Sequence, residues 1–115
     1  MANQLFLVYT NPMSDEQDAE FNDWYTNTHL GEIVSLPGIV SATRYKVAGP
    51  AAGDAKHRYL AIYELAEGVK PEDVGASIAQ GVQSGQIHMT SAIKVDSDAG
   101  SQSFWEQISD RVTEA

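Results

Sequence analysis

The stretch FNDWYTNTHLGEIVSLPGIVSATRY, residues 21–45, decides the fold. In its first part Phe21, Tyr25, His29, Ile33 and Leu36 recur at steps of three or four residues, the spacing of one helical face, with Trp24 beside them. Pro37 ends the pattern, because the residue before a proline is pushed out of helical geometry, and Gly38 releases the turn. From Ile39 the period becomes two. Ile39, Ser41, Thr43, Tyr45 and Val47 alternate with Val40, Ala42, Arg44 and Lys46, which reads as a strand over Ile39–Val47.

Upstream, Gln4–Thr10 carries the nearly continuous apolar run Leu5, Phe6, Leu7, Val8, Tyr9, a strand covered on both faces. Asn11-Pro12 breaks it. Ser14 with Gln17 three residues later predicts a capping box, and Asp15 and Glu16 suit the positive end of the helix that follows. Downstream, the Gly-, Pro- and Ala-rich residues 48–56 form a hairpin tip, and Arg58–Leu65 a third strand with Tyr59, Ala61, Tyr63 and Leu65 on one side. Pro71 opens a second helix over Pro71–Ser84 with Val74, Ile78 and Val82 inward, weakened by Gly75 and Gly81. Residues 85–101 are polar and small and read mostly as loop, with Ile93-Lys94-Val95 able to pair briefly. Ser103–Ser109 alternates as a closing strand, although Phe104, Ile108 and Val112 also sit at helical spacing.

The order β-α-β-β-α-β over a single domain, residues 1–115, is the ferredoxin-like arrangement of the α+β class. Right-handed crossovers place both helices on one face of a four-stranded antiparallel sheet. The other face is left bare, and the doubly apolar first and third strands make it a larger exposed patch than monomers tolerate. Homodimerisation through that face is the physical remedy.

Composition narrows the function. Sixteen acidic against seven basic residues give a net charge of −9, which repels phosphate backbones and argues against nucleic acid as a partner. There is no cysteine, so thiolate catalysis, disulfides and Cys-ligated metals are excluded. No apolar run approaches a membrane span and no secretory leader is visible, so the expectation is a soluble cytoplasmic protein with no membrane partner. His29, His57 and His88 lack metal-ligand spacing, and no nucleotide-binding or nucleophile-elbow motif occurs, so neither a metal nor a cofactor is expected.

His29 is the leading candidate for chemistry. It lies on the buried stripe, and imidazole is the side chain suited to proton transfer near neutrality. The plain alternative is a core histidine bonded to a backbone carbonyl. Tyr25, one turn earlier, could orient it or bind a substrate oxygen, and Trp24 lies beside both. Tyr59, Tyr63 and Trp105 lie on strands, where parity groups Tyr59 with Tyr63 but leaves open which face lines a pocket. Arg44 could fix a carboxylate or phenolate, or pair with Glu64 instead. His88 stands in a loop that could close the pocket.

Three blocks of the sequence together resemble a family. They are Phe21–Leu30 (FNDWYTNTHL), Leu36–Tyr45 (LPGIVSATRY) and Arg58–Leu65 (RYLAIYEL), and they are similar to the EthD-like branch of the dimeric α/β-barrel superfamily. The rest matches only in outline, through a second helix and a closing aromatic strand. The resemblance implies a ferredoxin-like fold dimerised into a β-barrel, with a pocket in each subunit and His29 as its histidine. Relatives in the superfamily include cofactor-free monooxygenases, polyketide cyclases, lactone isomerases, dehydratases and haem-using enzymes. Two functions are then open. One is a cofactor-independent lyase, isomerase or cyclase, or a cofactor-free monooxygenase, acting on an aromatic or polycyclic carbonyl or phenolic compound, with His29 moving a proton. The other is a non-catalytic binder or accessory protein. A second protic group beside His29, Tyr25 or Tyr63, would favour the enzyme.

Overall fold

The computed structural model describes residues 3–50, 52–94 and 101–114. Strand β1 (Gln4–Thr10) lies at the centre of the sheet, where its apolar run meets neighbours on both sides. It pairs antiparallel with β3 (Tyr59–Leu65) and with β4 (Gln102–Glu106), and β2 (Ile39–Lys46) adds to β3, giving the order β2-β3-β1-β4. Helix α1 (residues 15–34) connects β1 to β2, and helix α2 (Pro71–Ser84) follows β3. The architecture is α+β, a four-stranded antiparallel sheet with two helices in the ferredoxin-like order. No helix among the described residues is long and apolar enough to cross a membrane.

Register decides which side chains share the core. Phe6 stands opposite Tyr63 and Phe104, Val8 opposite Ala61 and Gln102, and Thr10 opposite Tyr59. Phe21, Tyr25 and Ile33 of α1 and Val74 of α2 pack with Phe6, Tyr59, Ala61 and Tyr63 in one buried cluster, with Val8 against it. The opposite face carries Leu5, Leu7, Leu60 and Ile62, all partly exposed, with Tyr45 and Trp105 more than half exposed.

Four readings need correction. Strict alternation put Ile39 with Ser41, Thr43 and Tyr45, but a bulge between Ile39 and Ser41 breaks the parity. Ile39 pairs with Leu65 and is buried, Val40 is thrown outward, and Ala42 and Arg44 join the core side instead. The Ser14/Gln17 box is rewired: the Ser14 hydroxyl bonds the Gln17 side-chain oxygen at 3.0 Å and caps no backbone N–H. The closing strand is Gln102–Glu106 rather than Ser103–Ser109, and Ile108 and Val112 are almost fully exposed, which removes the helical alternative there. Val82 is exposed, and the inward position near the end of α2 belongs to Gly81.

That glycine has a steric reason. Gly85 ends α2 in the left-handed conformation, φ 85°, and the chain doubles back so that the Ile87 N–H donates to the Gly81 carbonyl at 2.9 Å. A Cβ at Gly81 would stand 2.6 Å from Ile87 Cδ1 and 2.9 Å from its Cγ1, and Ile87 is buried. Beyond Ile87 the chain is tied to the end of β1. Met13 N–H donates to the Ala92 carbonyl at 2.6 Å, Lys94 N–H to the Asn11 carbonyl at 3.0 Å, and Ile93 bridges Pro12. This is the brief pairing expected at Ile93-Lys94; Val95 lies outside the described residues.

The two helix glycines separate in a stability measurement. A Cβ at Gly75 meets nothing within 4 Å. Gly75→Ala is expected to raise unfolding free energy by about 0.5–1 kcal/mol, the gain in helix propensity. Gly81→Ala, at the same gain in propensity, is expected to lower it, because Ile87 must leave its place. Urea unfolding of both variants checks this, and stabilisation by both would show that the turn at Ile87 is soft.

Candidate functional site

Helix α1 departs from α geometry where the candidate residues lie. It begins as a 3-10 turn (Asp15–Gln17), is α-helical over Asp18–Trp24, widens to a π-helix over Tyr25–His29 and narrows again over Leu30–Val34. Turns of this wide kind are rare and recur at functional sites. The π segment starts with Tyr25 and ends with His29, whose rings meet edge to face at 4.9 Å. Trp24 stacks on the His29 ring at 4.4 Å. Held between these aromatics, His29 is largely removed from water, and its Nδ1 is buried with no hydrogen-bond partner among the described residues. Burial pushes the imidazole pKa down, opposed by the Glu32 carboxylate and reinforced by the Arg44 cation, to about 4. His29 is therefore a neutral imidazole throughout the physiological range.

Behind Tyr25 lies a half-buried cation. The Arg44 guanidinium sits 4.5 Å from the Tyr25 ring centre, 5.2 Å from that of Tyr59 and 5.5 Å from that of Phe21. It donates to Thr26 Oγ1 and Asn22 Oδ1, each at 2.9 Å, while its Nε is buried without a partner. Tyr25 is also hydrogen-bonded to Tyr63. Burial raises the Tyr25 pKa, with the Tyr63 bond and the Arg44 charge pulling the other way. Burial and the neighbouring Tyr25 also raise that of Tyr63. Both phenols are neutral; Arg44 acts against burial on both, and at Tyr25 the Tyr63 hydrogen bond acts in the same direction as Arg44 without overcoming burial.

Tyr25, His29 and Tyr63 open onto a cavity between α1, α2 and the sheet. One chamber, about 60 Å³, is lined by these three with Phe6, Val8, Ile33, Ile78 and Gln102. A second, of about 210 Å³, shares Val8, Tyr25, His29, Ile78 and Gln102 and adds Thr10, Met89, Ile93 and Lys94, among others. Loop residues after α2 wall the larger chamber, and α1 holds them. Glu32 accepts the His88 N–H at 2.8 Å and pairs with its ring Nδ1, while the Trp24 indole donates to the His88 carbonyl at 2.9 Å. Burial alone would raise the Glu32 pKa, but these bonds from His88 outweigh it and hold the carboxyl low.

The residues singled out from sequence thus fall into groups. Tyr25, His29 and Tyr63 come together at the cavity, with Trp24 behind His29. Arg44 and Tyr59 stand outside the lining; the Tyr59 hydroxyl donates to Asp18 Oδ1 at 2.7 Å and accepts from Asn22. His88 is exposed and positions the loop rather than lining the chambers. Trp105 is on the opposite sheet face, bonded to Ser103 Oγ at 2.7 Å. Sequence reasoning missed Phe6, Val8, Ile78, Gln102, Lys94 and Glu32 as members of the site; strand register could have found Phe6 and Val8 once Tyr63 was chosen. No three ligating side chains converge as a metal centre among the described residues. A separate hollow of about 200 Å³ opens between Tyr9, Tyr45 and His57. The Arg58 cation that reaches it is already paired with Asp15 at 3.2 Å.

The burial of neutral His29 has a pH signature. The unfolded chain binds the proton near pH 6.5 and the folded chain only near 4, so stability is full above 6.5 and is lost as pH falls toward 4. At about 1.4 kcal/mol per pKa unit, the loss at pH 5 is about 2 kcal/mol. Denaturant unfolding of the wild type and of His29→Gln at pH 7.5 and 5 isolates this from the carboxylates. The wild type is expected to lose about 2 kcal/mol more than the variant over that interval. Equal losses would show a hydrated, ordinarily titrating His29.

With this geometry in hand, comparison with known proteins adds two likenesses. No family profile matches the chain. "Core atranone cluster (CAC) protein 1" of Stachybotrys chlorohalonatus is 39% identical over 62 residues. That match takes in 53% of this chain but only 25% of the fungal protein. The crystal structure of an "ethyl tert-butyl ether d (ethd) family protein" from Bacillus halodurans C-125 superposes with a TM-score of 0.53, covering 96% of this chain and all of the other at 18% identity. At that identity the likeness is one of fold, and the chain has the EthD-like fold that its three sequence blocks led us to expect.

Proposed function

We propose that the cavity binds a small apolar or aromatic compound with a carbonyl or phenolic oxygen, and that His29 exchanges a proton with it. One observation carries this reading: His29 Nδ1, in the lining of the cavity, is buried and unpaired. A buried polar nitrogen without a partner costs about 1–3 kcal/mol, and a ligand that hydrogen-bonds it removes that cost. The second protic group is Tyr25. Its hydroxyl is backed by the Tyr63 hydrogen bond and the Arg44 cation, which together favour charge on a neighbouring oxygen.

The chemistry follows from these groups. Neutral His29 accepts a proton from the carbon next to the carbonyl, Tyr25 donates a hydrogen bond to the oxygen on which charge collects, and an enolate forms. Return of the proton to another atom isomerises the compound, and its delivery to a departing hydroxide dehydrates it, which are isomerase and lyase outcomes. Attack of the enolate carbon on a second carbonyl of the same compound, whose oxygen then takes the proton held by His29, closes a ring, which is the cyclase outcome. The binder reading has its own support: an imidazole of pKa about 4 is a weak base, and ligand binding alone satisfies its nitrogen.

We further propose a homodimer, closed into a barrel through the sheet face that bears Leu5, Leu7, Leu60, Ile62, Tyr45 and Trp105. Its support is the exposure of that apolar set on one face. Sedimentation equilibrium at micromolar concentration is expected to give the dimer mass, and a stable folded monomer would overturn the barrel.

Deuterium exchange separates enzyme from binder. With 2-tetralone in D2O, followed by NMR, the wild type is expected to accelerate loss of the α-protons, His29→Gln to abolish the acceleration, and Tyr25→Phe to reduce it about 100-fold. Binding of 2-tetralone without exchange would leave the binder reading standing and sink the catalytic one.

A further inference from the structure

We propose that the two chambers divide the ligand: an aromatic ring lies in the larger one, the smaller one takes only the oxygen-bearing group at Tyr25 and His29, and Ile78 sets how bulky that group can be. The class of ligand this selects is a ring compound that bears a hydroxyl or a short acyl group. The inference rests on the reading that the cavity binds a small molecule, and it adds which end of that molecule goes where.

Three elements meet the chambers in the same order. On the helix-facing side of β1, side chains recur every second residue, about 7 Å apart. Phe6 lines the smaller chamber, Val8 borders both, and Thr10 lines the larger. On α1, Ile33 lines the smaller chamber, whereas His29 and Tyr25 border both. On α2 the inward stripe starts at Val74, which is buried in the core. One turn on, Ile78 borders both chambers, and one turn further Val82 lines the larger one and is exposed. The sheet register agrees, since Gln102, which also borders both, pairs with Val8. The junction between the chambers is therefore formed by Val8, Tyr25, His29, Ile78 and Gln102. Buried side chains, Phe6, Ile33 and Tyr63, bound the smaller chamber away from it, while the larger one reaches the surface at Val82 and Met89.

Size then assigns the ends of the ligand. An apolar cavity of about 150 Å³ holds a benzene ring. The larger chamber, about 210 Å³, exceeds that, and the smaller, about 60 Å³, falls well short of it. At about 30 Å³ for each water-sized group, the smaller chamber has room for two, such as a carbonyl oxygen and a methyl. The polar groups suit such an end: Tyr25, Tyr63 and the unpartnered His29 Nδ1. A ring in the larger chamber can present its oxygen to Tyr25 and His29 at the junction but cannot follow it through. Ile78 is the residue on which this limit turns. Val8 belongs to the central strand, and Tyr25 and His29 are held by their ring contacts, whereas Ile78 is a partly buried side chain packed against the core from α2. Shortening it widens the junction and leaves the buried cluster filled.

Methyl 2-naphthyl ketone and tert-butyl 2-naphthyl ketone, titrated by NMR, test this. They share the ring and the carbonyl and differ only in the bulk beside it. Hydrophobicity alone favours the tert-butyl ketone, so weaker binding of it reads the steric limit. The wild type is expected to bind the methyl ketone about tenfold more tightly. Ile78→Ala is expected to narrow that ratio to about twofold, through tighter binding of the tert-butyl ketone. Ile78→Val, a smaller change to the packing, should move the ratio the same way by less, and urea unfolding verifies that each variant is folded. Equal affinity of the wild type for the two ketones, or a ratio that stays at the wild-type value in the folded variants, overturns the division of the ligand while leaving the cavity as a binding site. Failure of both ketones to bind the wild type overturns the pocket reading itself, and this inference with it.

Discussion

The seating of Arg44 is the constraint on which the rest depends. A guanidinium drawn half out of water needs partners, and here most come from α1: Asn22 and Thr26 by hydrogen bonds, Phe21 and Tyr25 by their ring faces. Tyr59 closes the cage from β3 and is itself held by Asp18 of α1. One cation on β2 thereby fixes how the helix lies on the sheet and which way Tyr25 points. The π turn then sets His29 against both Tyr25 and Trp24. Moving the helix by one turn would strand the charge, so the fold and the site are held by the same contacts.

The same cation shows where sequence legibility ends. The stripe Phe21, Tyr25, Ile33 and Leu36 was legible because a helical period identifies one face without further information, and all four are buried. Arg44 was not assignable, because its face depends on the bulge between Ile39 and Ser41, which shifts parity by one and leaves no mark in the alternation of residues. Gly81 was read as a weak point of α2, since propensity sees only the helix; the reason for it, Ile87 folding back, is a contact made after the helix has ended. Ser14 and Gln17 have the right spacing for a capping box, yet the hydroxyl had a side-chain acceptor as well as a backbone donor within reach, and spacing cannot rank the two.

The candidate site is split along the same line. Tyr25 and His29 share a helix face, and Tyr63 shares a strand parity with Tyr59, so local periodicity brings them forward. Phe6, Val8 and Gln102 enter the cavity only through the sheet order, which places β1 between β3 and β4 and sets Phe6 against Tyr63. Lys94 enters through the pairing of the loop after α2 with the segment after β1, a contact between residues far apart in the chain. Trp105, the most conspicuous aromatic of the closing strand, faces the other way because its register partner is Leu5 rather than Phe6.

The balance of forces within the cavity limits what kind of catalysis it can support. Burial that leaves His29 unpaired also makes it a poor base, with a conjugate acid far more acidic than a carbon next to a carbonyl. A weak base transfers a proton quickly only if the resulting anion is strongly stabilised, so the burden falls on the oxygen side of the reaction. Tyr25 is placed for that burden. Its own ionisation is suppressed by burial, yet Tyr63 and Arg44 bias it toward negative charge, and so it donates strongly without giving up its proton. Because these groups are already oriented by the Arg44 cage, they need not reorganise as charge develops. On the proposed reading the histidine would take the proton, and the tyrosine–arginine cluster would determine whether taking it is possible.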